Sequence, residues 1–293
     1  MYYRQKILLS LIETFGGQLQ STDFQKLLFL YCQLMKTNHY DFFPYKFGAF
    51  SFTSAYDKQK LIATDLLKDS NDFSTVGIKS FISQLTPDDR IKLKAFYSKC
   101  RHLRGQELVK QTYLDYPLYA MRSEIVTAVL SKDELQMVSS NWNNDFSTKL
   151  FTIGYESSTI DQYLYRLITN NVSVLVDVRK NPYSHKHGFT QKSLKTYAEK
   201  TGITYFHMPE LGIPSHLRKE LDGPDDYAVL FDHYAKDILP SQDATLSKLC
   251  ELIITHRRVA ITCFEADPLM CHRHKISERI ESDQNLDISV SHL

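Results

Sequence analysis

The chain has 293 residues, 43% hydrophobic and 24% charged, with a formal net charge of +1. This is the composition of a soluble globular protein of about two domains, each large enough for its own core, and the charge itself points to no particular partner. Five scattered cysteines exclude a disulfide framework, and neither a spanning apolar run nor a signal-peptide cleavage region is visible, so a cytoplasmic location without membrane contact is expected.

Residues 3–15 have helical periodicity (Ile7, Leu8, Leu11, Ile12) and close at Gly16-Gly17. Ser21-Thr22-Asp23 starts a second helix, whose run FQKLLFLYCQLM is apolar on nearly all sides and therefore buried. Residues 40–52, YDFFPYKFGAFSF, are aromatic and strand-like with bends at Pro44 and Gly48, and a helix follows from Ser54 to about Leu67. Helix, helix, aromatic hairpin and helix is the order of a winged helix-turn-helix. The segment also resembles the helical N-terminal modules of some antitoxin-type and defence proteins. Residues 86–108 begin acidic and end basic, with Lys92, Lys94, Lys99, Arg101 and Arg104 among aromatics. A solvated helix face with dipole-matched ends explains that pattern, and so does a surface for DNA or RNA. The polar run NWNND, 141–145, marks the boundary between a mostly helical, winged-helix-like domain (1–145) and a second domain (146–293).

From Lys149 short apolar runs alternate with amphipathic ones. Strands are expected at 150–153, 173–178, 203–206, 259–262 and 286–290, with helices at 157–168, 190–200, 225–239 and 241–256. This alternation means a Rossmann-like, mainly parallel α/β sheet with right-handed crossovers. Ionisable groups gather where strands end: Glu156 after Gly154-Tyr155, then Asp177 and Arg179, then His207, then Cys263 and Glu265. In a parallel sheet these ends share one edge, where ligands bind. Residues 257–280, RRVAITCFEADPLMCHRHKISERI, read as strand, tight loop and helix. Cys271, His272 and Arg273 are placed in the first helical turn, where unpaired N–H groups favour an anion.

The segments TIGYESSTIDQYLYRL, VLVDVRKNPYSHKHGFTQKSLKTYAEKTGITYFHMPELG and ITCFEADPLMCHRHKISERI resemble the domain-of-unknown-function family numbered 488. The family's VDVR-x-x-P-x-S segment corresponds to Asp177, Arg179, Pro182 and Ser184, and its C-x-E…CHR segment to Cys263, Glu265, Cys271, His272 and Arg273. Tyr155 and Glu156 stand where His-Ser is commoner. The resemblance covers roughly 149–293 and implies a Rossmann-like fold without a settled activity.

Several chemistries fit poorly. Cys263, Cys271 and His272 match no usual zinc spacing, so no metal is expected. Neither G-x-G-x-x-G nor a Walker sequence is present, so no nucleotide cofactor is expected. A lowered pKa makes Cys271 a possible nucleophile. Carboxylate chemistry remains, with Glu265 as general base, Asp177 as charge stabiliser, and Arg179 and Arg273 holding phosphate. Gly154, Tyr155, Glu156, Arg179, Ser184, His207, Cys263, His272 and Arg273 would bind the ligand. The expected protein is an enzyme of hydrolase or transferase type acting at the sugar or base of a nucleotide-like or nucleic-acid substrate. The alternative is a non-catalytic sensor that holds an anionic small molecule in the second domain and DNA, RNA or a partner protein on the first.

Overall fold

The computed structural model describes residues 1–68, 72–75, 80–218, 223–283 and 286–293. They form two units, Met1–Trp142 and Asn143–Leu293. No described helix is long and apolar enough to cross a membrane.

The first unit runs α1 (Tyr3–Thr14), β1 (Gln18–Gln20), α2 (Ser21–Leu34), β2 (Phe43–Tyr45), β3 (Gly48–Phe50), α3 (Phe52–Ala63), β4 (Leu67–Lys68) and β5 (Asp72–Thr75). It continues with α4 (Pro87–Cys100), α5 (Gly105–Asp115), α6 (Val126–Val129) and α7 (Lys132–Ser139). Every residue of α2 from Asp23 to Cys32 is buried, as its apolar circumference requires. The aromatic segment is the hairpin β2–β3, and Gly48 sits at φ +92 against Tyr113, where a Cβ would approach within 2.6 Å. A separate antiparallel sheet of order β1-β5-β4 was not expected from the sequence. Its strands are two to four residues long, too short to show a period of two. The basic stretch divides into α4 and α5, with Thr86 capping the first by accepting from Asp89 N.

The second unit runs β6 (Lys149–Gly154), α8 (Ile160–Thr169), β7 (Val174–Asp177), α9 (Gln191–Lys200), β8 (Thr204–His207), α10 (Pro224–His233), α11 (Asp243–His256), β9 (Arg258–Cys263), α12 (Arg273–Glu281) and β10 (Ser289–His292). The sheet order is β10-β6-β9-β7-β8, and every neighbouring pair is parallel. All positions of β7 and β9 are buried, the pattern of strands covered on both faces. α8 starts at Ile160, three residues later than expected, because Thr159 and Gln162 close a capping box there. Register pairs Gly154 with Cys263 and Asp177 with Thr262, so the chain leaves β6, β7 and β9 at one edge.

Candidate functional site

The loop that leaves β9 crosses the end of β6. Tyr155 N and Glu156 N both donate to Phe264 O, at 3.0 and 2.9 Å. The approach is so close that a Cβ on Gly154 would lie 1.7 Å from Glu265 O. Only glycine fits there. Glu156 accepts from Ala266 N at 3.0 Å, and Arg273 donates to Glu265 O at 2.5 Å and to Ala266 O at 2.9 Å. The loop is held on three sides, which fixes where the Glu265 side chain starts.

That side chain faces a cleft of about 460 Å³ at the carboxyl edge. Tyr155, Cys263, Phe264 and Glu265 line it from the ends of β6 and β9. Lys180, Asn181, Tyr183, Ser184 and Lys186 line it from the segment after β7, and Ile213, Ser215 and Arg218 from the segment after β8. Asn181 Nδ2 donates to Ser215 Oγ at 2.8 Å and joins those two walls. Lys186 donates to the carbonyls of Tyr155 and Glu156.

Glu265 Oε2 is buried and has no hydrogen-bond partner among the described residues. Oε1 lies 4.0 Å from Arg218 Nη1. Burial, and then the charge of Cys263, raise the Glu265 pKa above the ordinary carboxylate value, against the opposing effects of Cys271 and Arg218. Behind it Cys263, Cys271 and His272 meet, all buried, with their ligand atoms within 4.8 Å of one another. His272 Nε2 is 3.3 Å from Val178 O, and Arg218 Nη2 is 3.2 Å from Nδ1. A carbonyl only accepts and a guanidinium only donates, so Nε2 carries the proton and Nδ1 presents its lone pair. The neighbouring Cys271, with His272, draws Cys263 well below the ordinary thiol pKa against the effect of burial. Burial, followed by the neighbouring Cys263, holds Cys271 well above it.

Of the residues expected at the site, Tyr155, Arg179, Ser184, Cys263 and Glu265 line the cleft. Asp177 does not. It is fully buried, accepts from Arg179 N, Nε and Nη2 at 3.1, 2.8 and 2.6 Å, and from Tyr205 Oη at 2.7 Å. Arg179 also donates to Tyr155 Oη and Phe189 O, at 2.7 and 2.9 Å. These bonds make Asp177 and Arg179 a buried ion pair that orients Tyr155, which is stacked on Phe189 at 4.3 Å. His207 bonds Arg179 O through Nε2 at 2.9 Å, and Gln191 through Nδ1. Cys271 and His272 precede α12 instead of lying in its first turn, and Arg273 is spent on carbonyls, so it offers nothing to a phosphate. Glu156 and Gly154 shape the loop. Sequence reasoning missed Lys180, Asn181, Tyr183 and Arg218. The first three sit within the VDVRKNPYS segment that was singled out, at positions between its more conspicuous residues.

A wholly parallel α/β domain with a cleft where its strands end defines the class. Residues 159–280, most of the second unit, match the family described as Domain of unknown function DUF488. No curated protein and no solved structure matches the chain.

Proposed function

We propose that the second unit is an enzyme acting on a nucleotide-like anion, by hydrolysis or group transfer, with Glu265 moving the proton. The observation that carries this reading is Glu265 Oε2, buried beside the cleft with no partner to satisfy it. An unpaired buried carboxylate oxygen is costly in a resting protein and useful when a substrate proton completes it. The cleft's volume suits a small ligand. Lys180 and Arg218 supply positive charge, while Tyr183 and Phe264, 71% and 42% exposed, offer ring faces on which a base stacks. Glu265→Gln keeps shape and burial but cannot act as a base. It should lose turnover by about 10²-fold or more while ligand-induced melting shifts persist. A panel of nucleosides, nucleotides and short DNA and RNA is the assay. Tight binding without wild-type turnover favours the sensor, and neither binding nor turnover sinks both readings.

For the first unit we infer a winged helix with nucleic acid as its partner. The order α1-β1-α2-α3-β4-β5 with sheet order β1-β5-β4 supports it, the hairpin β2–β3 being an insertion before α3. α3 exposes Tyr56, Gln59 and Lys60, side chains able to reach phosphates and base edges. The basic stretch contributes less than its sequence implied: Lys92 on α4 pairs with Asp88 at 2.7 Å, and Arg104, just before α5, bonds Leu103 O. Binding by the full chain should fall steeply with salt and weaken further in Lys60→Glu. Binding equal to wild type in Lys60→Glu, or none at low salt, removes this reading.

A further inference from the structure

Cys263, Cys271 and His272 are more than filler between β9 and α12. Two thiols and an imidazole lone pair, each buried, turn toward one point, with Cys263 Sγ and Cys271 Sγ at 3.8 and 3.9 Å from His272 Nδ1. Zinc bound tetrahedrally at about 2.3 Å from sulfur and 2.0–2.1 Å from nitrogen sets sulfur and nitrogen about 3.6 Å apart. The two sulfur–nitrogen separations need only a small contraction. His272 Nε2 is tied to the Val178 carbonyl, the second bond that fixes ring and tautomer for a metal-binding histidine.

We propose that Cys263, Cys271 and His272 hold a zinc-class divalent metal ion, with its fourth position open to the cleft beside Glu265. Soft thiolate donors with one imidazole select zinc over the hard cations that oxygen ligands favour. Three protein ligands with one vacant place is the arrangement of catalytic zinc, while structural sites are closed by four. Glu265 stands outside the three-ligand group, yet it lies two residues beyond Cys263 and lines the same cleft. Its unpaired Oε2 is thus available to a molecule bound at the open position. Arg218 Nη2 is the group a metal must displace from Nδ1. Its side chain is 35% exposed and already lies 4.0 Å from Glu265 Oε1, so a short swing releases the lone pair. The linear spacing conceals this site because one ligand ends a strand and the other two precede a helix eight and nine positions on. The expectation of no metal rested on that spacing and on the lack of a second cysteine pair. The ligand set stands whatever the substrate is.

The test is made on the full chain without substrate, so it fails or succeeds independently of the proposed activity. Protein kept under reductant is stripped with a chelator and reloaded with zinc or cobalt(II). The expected result is one zinc per chain by elemental analysis, and a thiolate-to-cobalt charge-transfer band with the visible bands of a tetrahedral ion. Cys263→Ser and Cys271→Ser should each lose more zinc affinity than the ~10–100-fold typical of an outer partner. Cys250→Ser, at a half-buried cysteine of α11, should lose none. If the serine variants fail to fold by circular dichroism, the wild-type cobalt spectrum decides. No thiolate band in the wild type overturns the proposal, and so does zinc affinity unchanged in folded Cys263→Ser and Cys271→Ser.

Discussion

Burial acts on single ionisable groups in both units, with different results. Lys26 on α2 is 2% exposed, donates to Ala49 O at 3.1 Å, and burial pushes its pKa down to about 7. An unfolded lysine keeps its proton to about 10.4. Between these values the unfolded chain binds more protons, so stability rises with pH by up to about 1.4 kcal/mol per unit. Below pH 7 both states are protonated, the slope vanishes and the cost of burying the charge is fully present. Lys26→Met removes this dependence. Denaturant unfolding of both proteins from pH 7 to 10 should show the wild type gaining on the variant as pH rises, and parallel curves contradict it. At this scale the sequence showed which residue types collect at the strand ends, but not which way they turn. Glu265 and Asp177 are both carboxylates just at or beyond a strand. The first meets a cleft, while the second meets Tyr205 on β8 and the returning Arg179, neighbours that only the sheet order supplies.

Among the elements, the segment from β9 through its loop to α12 depends on β6. Gly154 lets the loop cross, and Glu156 and Arg273 hold it there. Gly154→Ala places a methyl group on the Glu265 carbonyl, and the loop must shift. Such overpacking costs about 1–3 kcal/mol. The variant should unfold at lower denaturant and bind cleft ligands more weakly, and wild-type stability and binding contradict this account of the crossing. Four of the five strands of the second unit were legible because apolar runs bounded by polar turns leave few alternatives, whereas β10, expected at 286–290, lies at Ser289–His292, a Ser-Val-Ser-His stretch with no such run. The small sheet of the first unit was not, since β4 has only two residues and β1 is the tripeptide Gln18–Gln20. The start of α12 was placed early: Asp267-Pro268 opens a separate 3-10 turn, Pro268–Met270, and the helix begins only at Arg273.

Taken whole, the chain joins two units with separate hydrophobic cores, one gathered on α1 and α2, the other between the parallel sheet and its helices. Alternating strands and helices made the parallel sheet legible, and a parallel sheet puts its loops on one edge, where the cleft lies. The walls of the cleft were less legible, since Arg218 joins it from a segment with no motif of its own. The activity we propose for the cleft turns on one carboxyl group. The most direct measurement is single-turnover kinetics of wild-type protein and Glu265→Gln on the nucleotide that gives the largest melting shift. The account predicts product from the wild type, about 10²-fold or more slower formation by Glu265→Gln, and melting shifts alike in both. Equal rates in the two proteins, or a bound nucleotide recovered unchanged from the wild type, contradict it.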